Sequence, residues 1–177
     1  NKLITTGGGG ALITNNNDLA KLGKHISNTA KIQHDWEYDH DQVGWNDRMP
    51  NINAALGVAQ LEVIKERLLK KKNLYDKYSY AFKDCQFAEV IKTQEDVFCN
   101  NWLITLRLKN RDEEVIKQLR NNLLSKALKE GLFLRPAWKL LSYLPMYKNS
   151  PSGDISVAKF ENKRIINLPS SPQLDDL

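Results

Sequence analysis

Gly44-Trp45-Asn46-Asp47-Arg48-Met49-Pro50-Asn51-Ile52-Asn53-Ala54-Ala55-Leu56-Gly57-Val58-Ala59-Gln60-Leu61 closes a long aperiodic segment and opens a long helical one. Upstream of it, residues 30–50 mix acids with His34, Trp36, His40 and Trp45 and hold neither a helical nor a strand period. A loop is expected there, and loops of that length in compact proteins are functional or disordered. Downstream, Asn51 is expected to cap a helix that runs to about residue 83. Leu61, Ile64, Leu68, Tyr75, Tyr78 and Phe82 follow at spacings of three, four, seven, three and four, which keeps them on one face. The small residues Ala54, Ala55, Gly57 and Ala59 suit close packing of the first turns.

Working outward, residues 11–14 after the glycine run read as a short buried strand that stops at Asn15-Asn16-Asn17. Asn17 is the expected N-cap of a helix to about residue 27, with Leu19, Leu22 and Ile26 on one face. Beyond the long helix, residues 102–108 alternate as a strand, with Leu103 and Thr105 on one side and Ile104 and Leu106 on the other. Residues 112–130 form an amphipathic helix that Gly131 closes. A second strand is expected over 132–134. Pro136, Pro145 and Pro151 interrupt the next stretch, and a helix over about 155–162 leads into residues 164–168. The elements sum to a small α/β layer joined by a long helix to the tail of a larger domain, with boundaries at 1–60 and 61–177.

Hydrophobic residues make up 41% of the 177, enough for a sizeable core. Mean hydropathy of −0.52 and the lack of an apolar run near the ~20 residues of a membrane span point away from a membrane protein. The chain opens Asn1-Lys2-Leu3 and passes directly into the glycines, which reads as the middle of a domain; part of a longer polypeptide is expected. Net charge is +5, but Lys65, Arg67, Lys70, Lys71 and Lys72 interrupt an apolar stripe on one helix. They are read as a solvated face, so no nucleic-acid partner is expected. Cys85 and Cys99 have neither metal-ligand nor redox spacing, fit a reducing cytoplasm, and are expected to be inert. His34, Asp35, Glu37, Asp39, His40 and Asp41 lack an i, i+4 ligand pair, so no metal is expected.

The opening segment, Asn1-Lys2-Leu3-Ile4-Thr5-Thr6-Gly7-Gly8-Gly9-Gly10-Ala11-Leu12, is not a P-loop, because its lysine precedes the glycines and no Gly-Lys-Ser/Thr comes after them. Composition alone favours a flexible terminus or a linker. The order of residues nevertheless resembles the active site of DegT/StrS-type sugar aminotransferases, where the cofactor lysine is followed by a Thr-Thr-Gly-acid-Gly-Gly turn and a strand. The stretch from Gly44 is similar to the same family's Gly-aromatic-Asn-aromatic-Arg-Met signature and the Ala-Ala-x-Gly-x-x-Gln-Leu helix start that continues it. Gly131-Leu132-Phe133-Leu134-Arg135-Pro136-Ala137-Trp138 and Ile166-Asn167-Leu168-Pro169-Ser170-Ser171-Pro172 resemble the branch that aminates UDP-linked 4-keto sugars on routes to bacillosamine and legionaminic-type sugars. Gly8 stands where the family often has an acid, and Asp47 where it has the second aromatic.

The resemblance implies the C-terminal part of a fold-type-I, pyridoxal-phosphate-dependent transferase, a cytoplasmic homodimer that moves an amino group from glutamate to a keto-sugar nucleotide. Lys2 would hold pyridoxal 5′-phosphate covalently and then act as the base that carries the proton between substrate and cofactor carbons. Asn46 would reach across the dimer to the phosphate of the partner's cofactor, a role a neutral amide donor suits. Arg135 and Trp138 would contact the sugar nucleotide, arginine through phosphate oxygens. The acid facing the pyridine nitrogen, the ring-stacking residue and the main phosphate cradle lie upstream of the lysine in the family, so this chain is expected to be an incomplete enzyme. A dehydratase of the same family would carry histidine in place of Lys2. A non-catalytic module using the basic helix is the other alternative.

Overall fold

The computed structural model describes residues 2–176, so the outer ends of the two expected domains, Asn1 and Leu177, lie outside it. The chain forms two compact units, Lys2–Ile64 and the residues from Lys65 onward.

The first unit contains helices α1, Asn17–Ile26, and α2, Asn51–Glu62. α1 is capped by Asn16, not Asn17: the Asn16 Oδ1 accepts from the amides of Asp18 (2.9 Å) and Leu19 (3.1 Å). α2 begins after Pro50, whose fixed φ of −64° suits the entry, and no side chain caps it; Asn51 is its first helical residue. Residues 11–14 form no ladder, and Leu12 and Ile13 are 72% and 91% exposed. The expected buried strand is therefore absent. A strand is stabilised by a hydrogen-bonded neighbour, and all four strands of the described residues belong to the second unit.

The expected long helix is two helices. α2 stops at Glu62, and α3, Ile64–Ala81, starts after a turn at β-branched Val63 (φ −104°, ψ 9°), whose amide bonds back to the Leu61 carbonyl.

The second unit is built on an antiparallel sheet of order β1-β2-β4-β3, where β1 is Ala88–Val90, β2 Ile104–Leu108, β3 Arg135–Pro136 and β4 Ile165–Leu168. Alternation along β2 buries Ile104, Leu106 and Leu108 and turns Thr105 and Arg107 the other way. The core joins those residues to Leu74 of α3, Ala88 and Val90 of β1, Leu168 of β4, and Ile116 of helix α4, Glu113–Lys129. α4 is closed at both ends as its sequence dictates. Asp112 Oδ1 accepts from the Glu114 and Val115 amides, and Gly131 takes φ 76°. The Gly131 amide then bonds Leu128 O (3.1 Å) and the Leu132 amide bonds Ala127 O (2.8 Å), a Schellman closure. That closure occupies Leu132, and Leu134 N turns back to Leu132 O, so the strand expected at 132–134 pairs only from Arg135. Helix α5, Ser156–Arg164, runs directly into β4.

One residue of the basic run departs from the expected solvated face. Lys71 is 4% exposed, and its Nζ donates to the carbonyls of Ser170 (2.5 Å) and Trp102 (3.3 Å). Burial pushes its ammonium below the usual lysine range. Lys70 and Lys72 instead form surface pairs with Asp176 and Asp76. Lys71→Ala, which removes the donor to the partly buried Ser170 carbonyl and leaves a cavity in its place, is expected to lower the unfolding free energy by about 1–3 kcal/mol in a denaturant titration. Lys72→Ala, on the solvated face, is expected to cost less than about 0.5 kcal/mol in the same measurement.

Candidate active site

Lys2 is exposed and lies three residues before a turn made by Thr5, Thr6 and the glycines. The Gly7 amide donates to Thr5 Oγ1 (3.1 Å), and Thr6 Oγ1 donates to Gly8 O (2.7 Å). Gly7 and Gly9 sit at φ 78° and 116°, where a side chain is disfavoured.

α2 of the same unit packs against this turn. The Asn53 side-chain amide donates to the Thr6 carbonyl (2.5 Å), and a Cβ added at Gly57, one turn further on, would lie 3.1 Å from Thr6 Cγ2. The Met49 methyl would meet a Cβ on Gly9 at 3.2 Å. The lysine turn and the helix start after the asparagine signature are thus two sides of one contact. Each segment stands out in the sequence on its own; their junction, through Asn53 and Gly57, is visible only in the structure.

Asn46 is exposed on a short ladder beside the end of α1, bridged to Asn28. The Trp45 amide bonds Ile26 O (2.8 Å), Thr29 N bonds Trp45 O (2.9 Å) and Asp47 N bonds Ser27 O (2.9 Å). Gly44 enters this ladder where no Cβ fits: one would lie 2.6 Å from Ala30 N and Thr29 C and 2.9 Å from Ile26 O. Opposite it, Thr29 and Ala30 adopt φ of 64° and 50°, and Ala30 is fully buried. The glycine of the signature therefore serves backbone packing and holds Asn46 at the surface.

The histidines of this region are held in local hydrogen bonds. His40 Nδ1 meets Thr29 O at 2.7 Å, His34 Nδ1 accepts from the Glu37 amide, and His25 Nε2 donates to Asp41 Oδ1 (2.7 Å), which holds that carboxyl below the usual carboxylate range. Among the described residues no group of three or more His, Cys, Asp or Glu side chains gathers as a metal site.

Burial separates the two units sharply. Among the described residues of the first, only Ala30 and Gly57 are buried, while Trp36, Tyr38, Val43, Trp45 and Ile52 are all more than half exposed. Arg135 and Trp138 lie in the second unit. Arg135 is exposed on β3 opposite Asn167, and Trp138 is 60% exposed and stacked on Trp102, with ring centroids 6.3 Å apart.

The α/β layer, with an exposed lysine before a Thr-Thr-Gly turn that packs on the helix following the Gly-Trp-Asn segment, fits part of a fold-type-I transferase. Comparison with known proteins agrees: the model of the DegT/DnrJ/EryC1/StrS aminotransferase family matches residues 1–176, and the chain belongs to that family. It is 32% identical to the GDP-perosamine synthase of Escherichia coli O157:H7 across 99% of this chain and 46% of that protein. The chain spans about half the length of the curated relatives it matches. Among solved structures it resembles Helicobacter pylori PseC, an aminotransferase of pseudoaminic acid biosynthesis, with TM-score 0.86 and 22% identity, over 98% of this chain and 46% of that one. A Streptococcus pneumoniae protein described as a sugar aminotransferase matches in its pyridoxamine-phosphate form with TM-score 0.74 and 23% identity, over 93% of this chain and 41% of that one. Its pyridoxal-phosphate form matches as well. The structural likenesses establish the fold, and the family's cofactor is pyridoxal phosphate. No helix among the described residues is long and apolar enough to cross a membrane.

Gly44→Ala is expected to lower the melting temperature by several degrees, because three backbone atoms crowd the added methyl and cannot rotate away. Gly8→Ala, whose Cβ would meet nothing within 4 Å, is expected to leave the melting temperature unchanged.

Proposed function

We propose that this chain is the C-terminal portion of a pyridoxal-phosphate-dependent aminotransferase that moves an amino group from glutamate to a keto-sugar nucleotide in the cytoplasm. The observation that carries the reading is the packing of the Lys2–Gly9 turn onto α2 through Asn53 and Gly57, which presents a lysine amine at the surface of a unit that has no core of its own.

The residues present suit the cofactor. Lys2 supplies the primary amine that a pyridoxal aldehyde needs, on a turn whose glycines permit close backbone approach. When bound, pyridoxal phosphate supplies the electron sink that stabilises a carbanion at the substrate carbon. Lys2 would hold the cofactor, and its amine would serve as general base and acid for the proton moved at the substrate carbon. Asn46, displayed on the ladder that Gly44 permits, would help hold the phosphate of a cofactor bound by the second subunit of a homodimer, as a neutral amide donor. Arg135 pairs with the substrate's diphosphate, and Trp138 packs on its body. Amine, proton carrier and amide donor are here; the acid for the pyridine nitrogen and the main phosphate cradle belong to the remainder of a longer polypeptide.

Exposed Trp36, Tyr38, Val43 and Trp45 support a unit completed by further protein. A unit of this size that buries only Ala30 and Gly57 lacks the apolar burial that sustains a fold. The boundary between the large-domain tail and the small domain falls at about residue 60. Lys2 also separates the transaminase from the dehydratase alternative, which requires histidine at that position.

In the full-length enzyme, glutamate should shift the visible absorbance of the cofactor, and Lys2→Ala should abolish turnover with the keto-sugar nucleotide. Mixing Asn46→Ala with Lys2→Ala subunits under exchange should restore partial activity, because one site of each mixed dimer is intact. No recovery after demonstrated exchange would show that Asn46 does not serve the opposite subunit.

A further inference from the structure

The sheet of the second unit has a polar face opposite its core. Directly paired residues of an antiparallel ladder point to the same face. Thr105 lies opposite Asn167, and Asn167 opposite Arg135, so these three side chains cross β2, β4 and β3 in one row. Glu89, Arg107 and Ile165 form the row beside it. The two rows differ in charge balance. Arg107 is neutralised by Glu89, with Nε and Nη2 both donating to Oε1 (2.8 and 2.6 Å). The row of Arg135 contains no acid, and the guanidinium of Arg135 has no partner among the described residues.

Asn167 is the unusual member of that row. It is only 6% exposed, and a buried side-chain amide is costly unless its polar atoms are paired. Its Oδ1 accepts from the Thr105 hydroxyl (3.0 Å), which fixes the amide on the sheet. Its Nδ2 carries two further donors, and neither meets an acceptor among the described residues. The nitrogen is not sealed off, however: among the described residues only the hydroxyls of Ser79 and Ser142 are both enclosed and unpartnered. Asparagine is disfavoured in strands, so propensity does not explain its place in β4.

Arg135 is held as firmly as its neighbour. Pro136 follows it, which confines Arg135 to extended backbone, and the Ala137 amide continues the pairing to Ile165 O (3.2 Å). β3 is an outer strand of the sheet, so an unpaired cation stands at an open edge, one ladder position from an amide with unused donors.

We infer that Asn167 and Arg135 together bind the diphosphate of a nucleoside-diphosphate sugar, Asn167 as a neutral donor and Arg135 as the charge. Given the sugar-nucleotide aminotransferase reading, on which this rests, Asn167 joins Arg135 as a substrate contact. Phosphate oxygens accept hydrogen bonds and carry the negative charge that this row lacks. Side chains paired across a ladder stand about 5 Å apart at Cβ, and a diphosphate, with oxygens on two linked phosphorus atoms, satisfies both donors at once.

The test uses the full-length, cofactor-loaded enzyme, titrated calorimetrically with UDP, with GDP and with inorganic phosphate. Asn167→Ala removes the donors. Asn167→Asp keeps an oxygen for the Thr105 hydroxyl and loses the nitrogen, and Arg135→Gln alters an exposed position. Circular dichroism first confirms that each variant folds. At least one of the two nucleotides is expected to bind the unaltered protein, and inorganic phosphate far more weakly. The Kd of that nucleotide should rise about 10- to 100-fold in each variant, the loss that follows removal of one hydrogen bond to a charged group. For Asn167→Ala, the glutamate concentration that gives half of the cofactor's absorbance shift should change by a much smaller factor. The proposal is overturned if neither nucleotide binds, if inorganic phosphate binds as tightly as the nucleotides, or if any of the three variants binds the nucleotide as tightly as the unaltered protein. It is also overturned if Asn167→Ala weakens glutamate by as large a factor as the nucleotide, which would mark a structural role or a carboxylate site. The aminotransferase reading is judged separately, by whether glutamate shifts the cofactor absorbance of the unaltered enzyme.

Discussion

The hydrogen bond from Asn53 to the Thr6 carbonyl, with Gly57 beneath the Thr6 methyl, is the contact on which the site depends. It fixes a glycine-rich turn that has no ladder of its own onto the first turns of α2. Asparagine supplies a donor for a carbonyl that the turn leaves without a strand partner, and glycine one turn along leaves room for the threonine methyl. A similar economy governs the other half of the unit. Gly44 lets two backbone segments pass too closely for any Cβ, and the left-handed Thr29 and Ala30 complete the crossing. Both glycines of the signature stretch therefore act through space rather than flexibility.

The two units obey different physics. The second has the ordinary architecture of an α/β layer, with alternating strands that bury one face against α3 and α4 and a lysine, Lys71, sealed by backbone carbonyls at the edge. The first is held by hydrogen bonds and glycine contacts while its aromatic and aliphatic side chains face outward. Such a unit is the part of a fold expected to carry function rather than stability, and it holds Lys2, the lysine proposed to carry the cofactor.

Much of the second unit is legible in the sequence because its signals are local. Asp112 and Gly131 bracket α4, and the alternation of 104–108 specifies β2 and its buried face. β1 is not legible because Ala88-Glu89-Val90 is too short to show a period, and β3 is displaced because Leu132 serves the helix closure first. The strand expected at 11–14 fails for a non-local reason: apolar residues there specify burial, but no strand of the first unit exists to pair with them. Lys71 does leave a signal. The apolar stripe of the long helix skips from Leu68 to Tyr75, and Lys71 occupies the vacant inward position. Of the proposed site residues, Lys2 and Asn46 are readable through ordered motifs, whereas the junction of their segments through Asn53 and Gly57 is visible only in the structure.

The central claim is that Lys2 carries the cofactor. Borohydride reduction of the full-length enzyme, followed by peptide mapping, tests it most directly, since reduction makes the bond between lysine and pyridoxal phosphate permanent. A single pyridoxyl-modified peptide containing Lys2 is expected, and none after Lys2→Ala. Modification of a different lysine in active enzyme would contradict the claim.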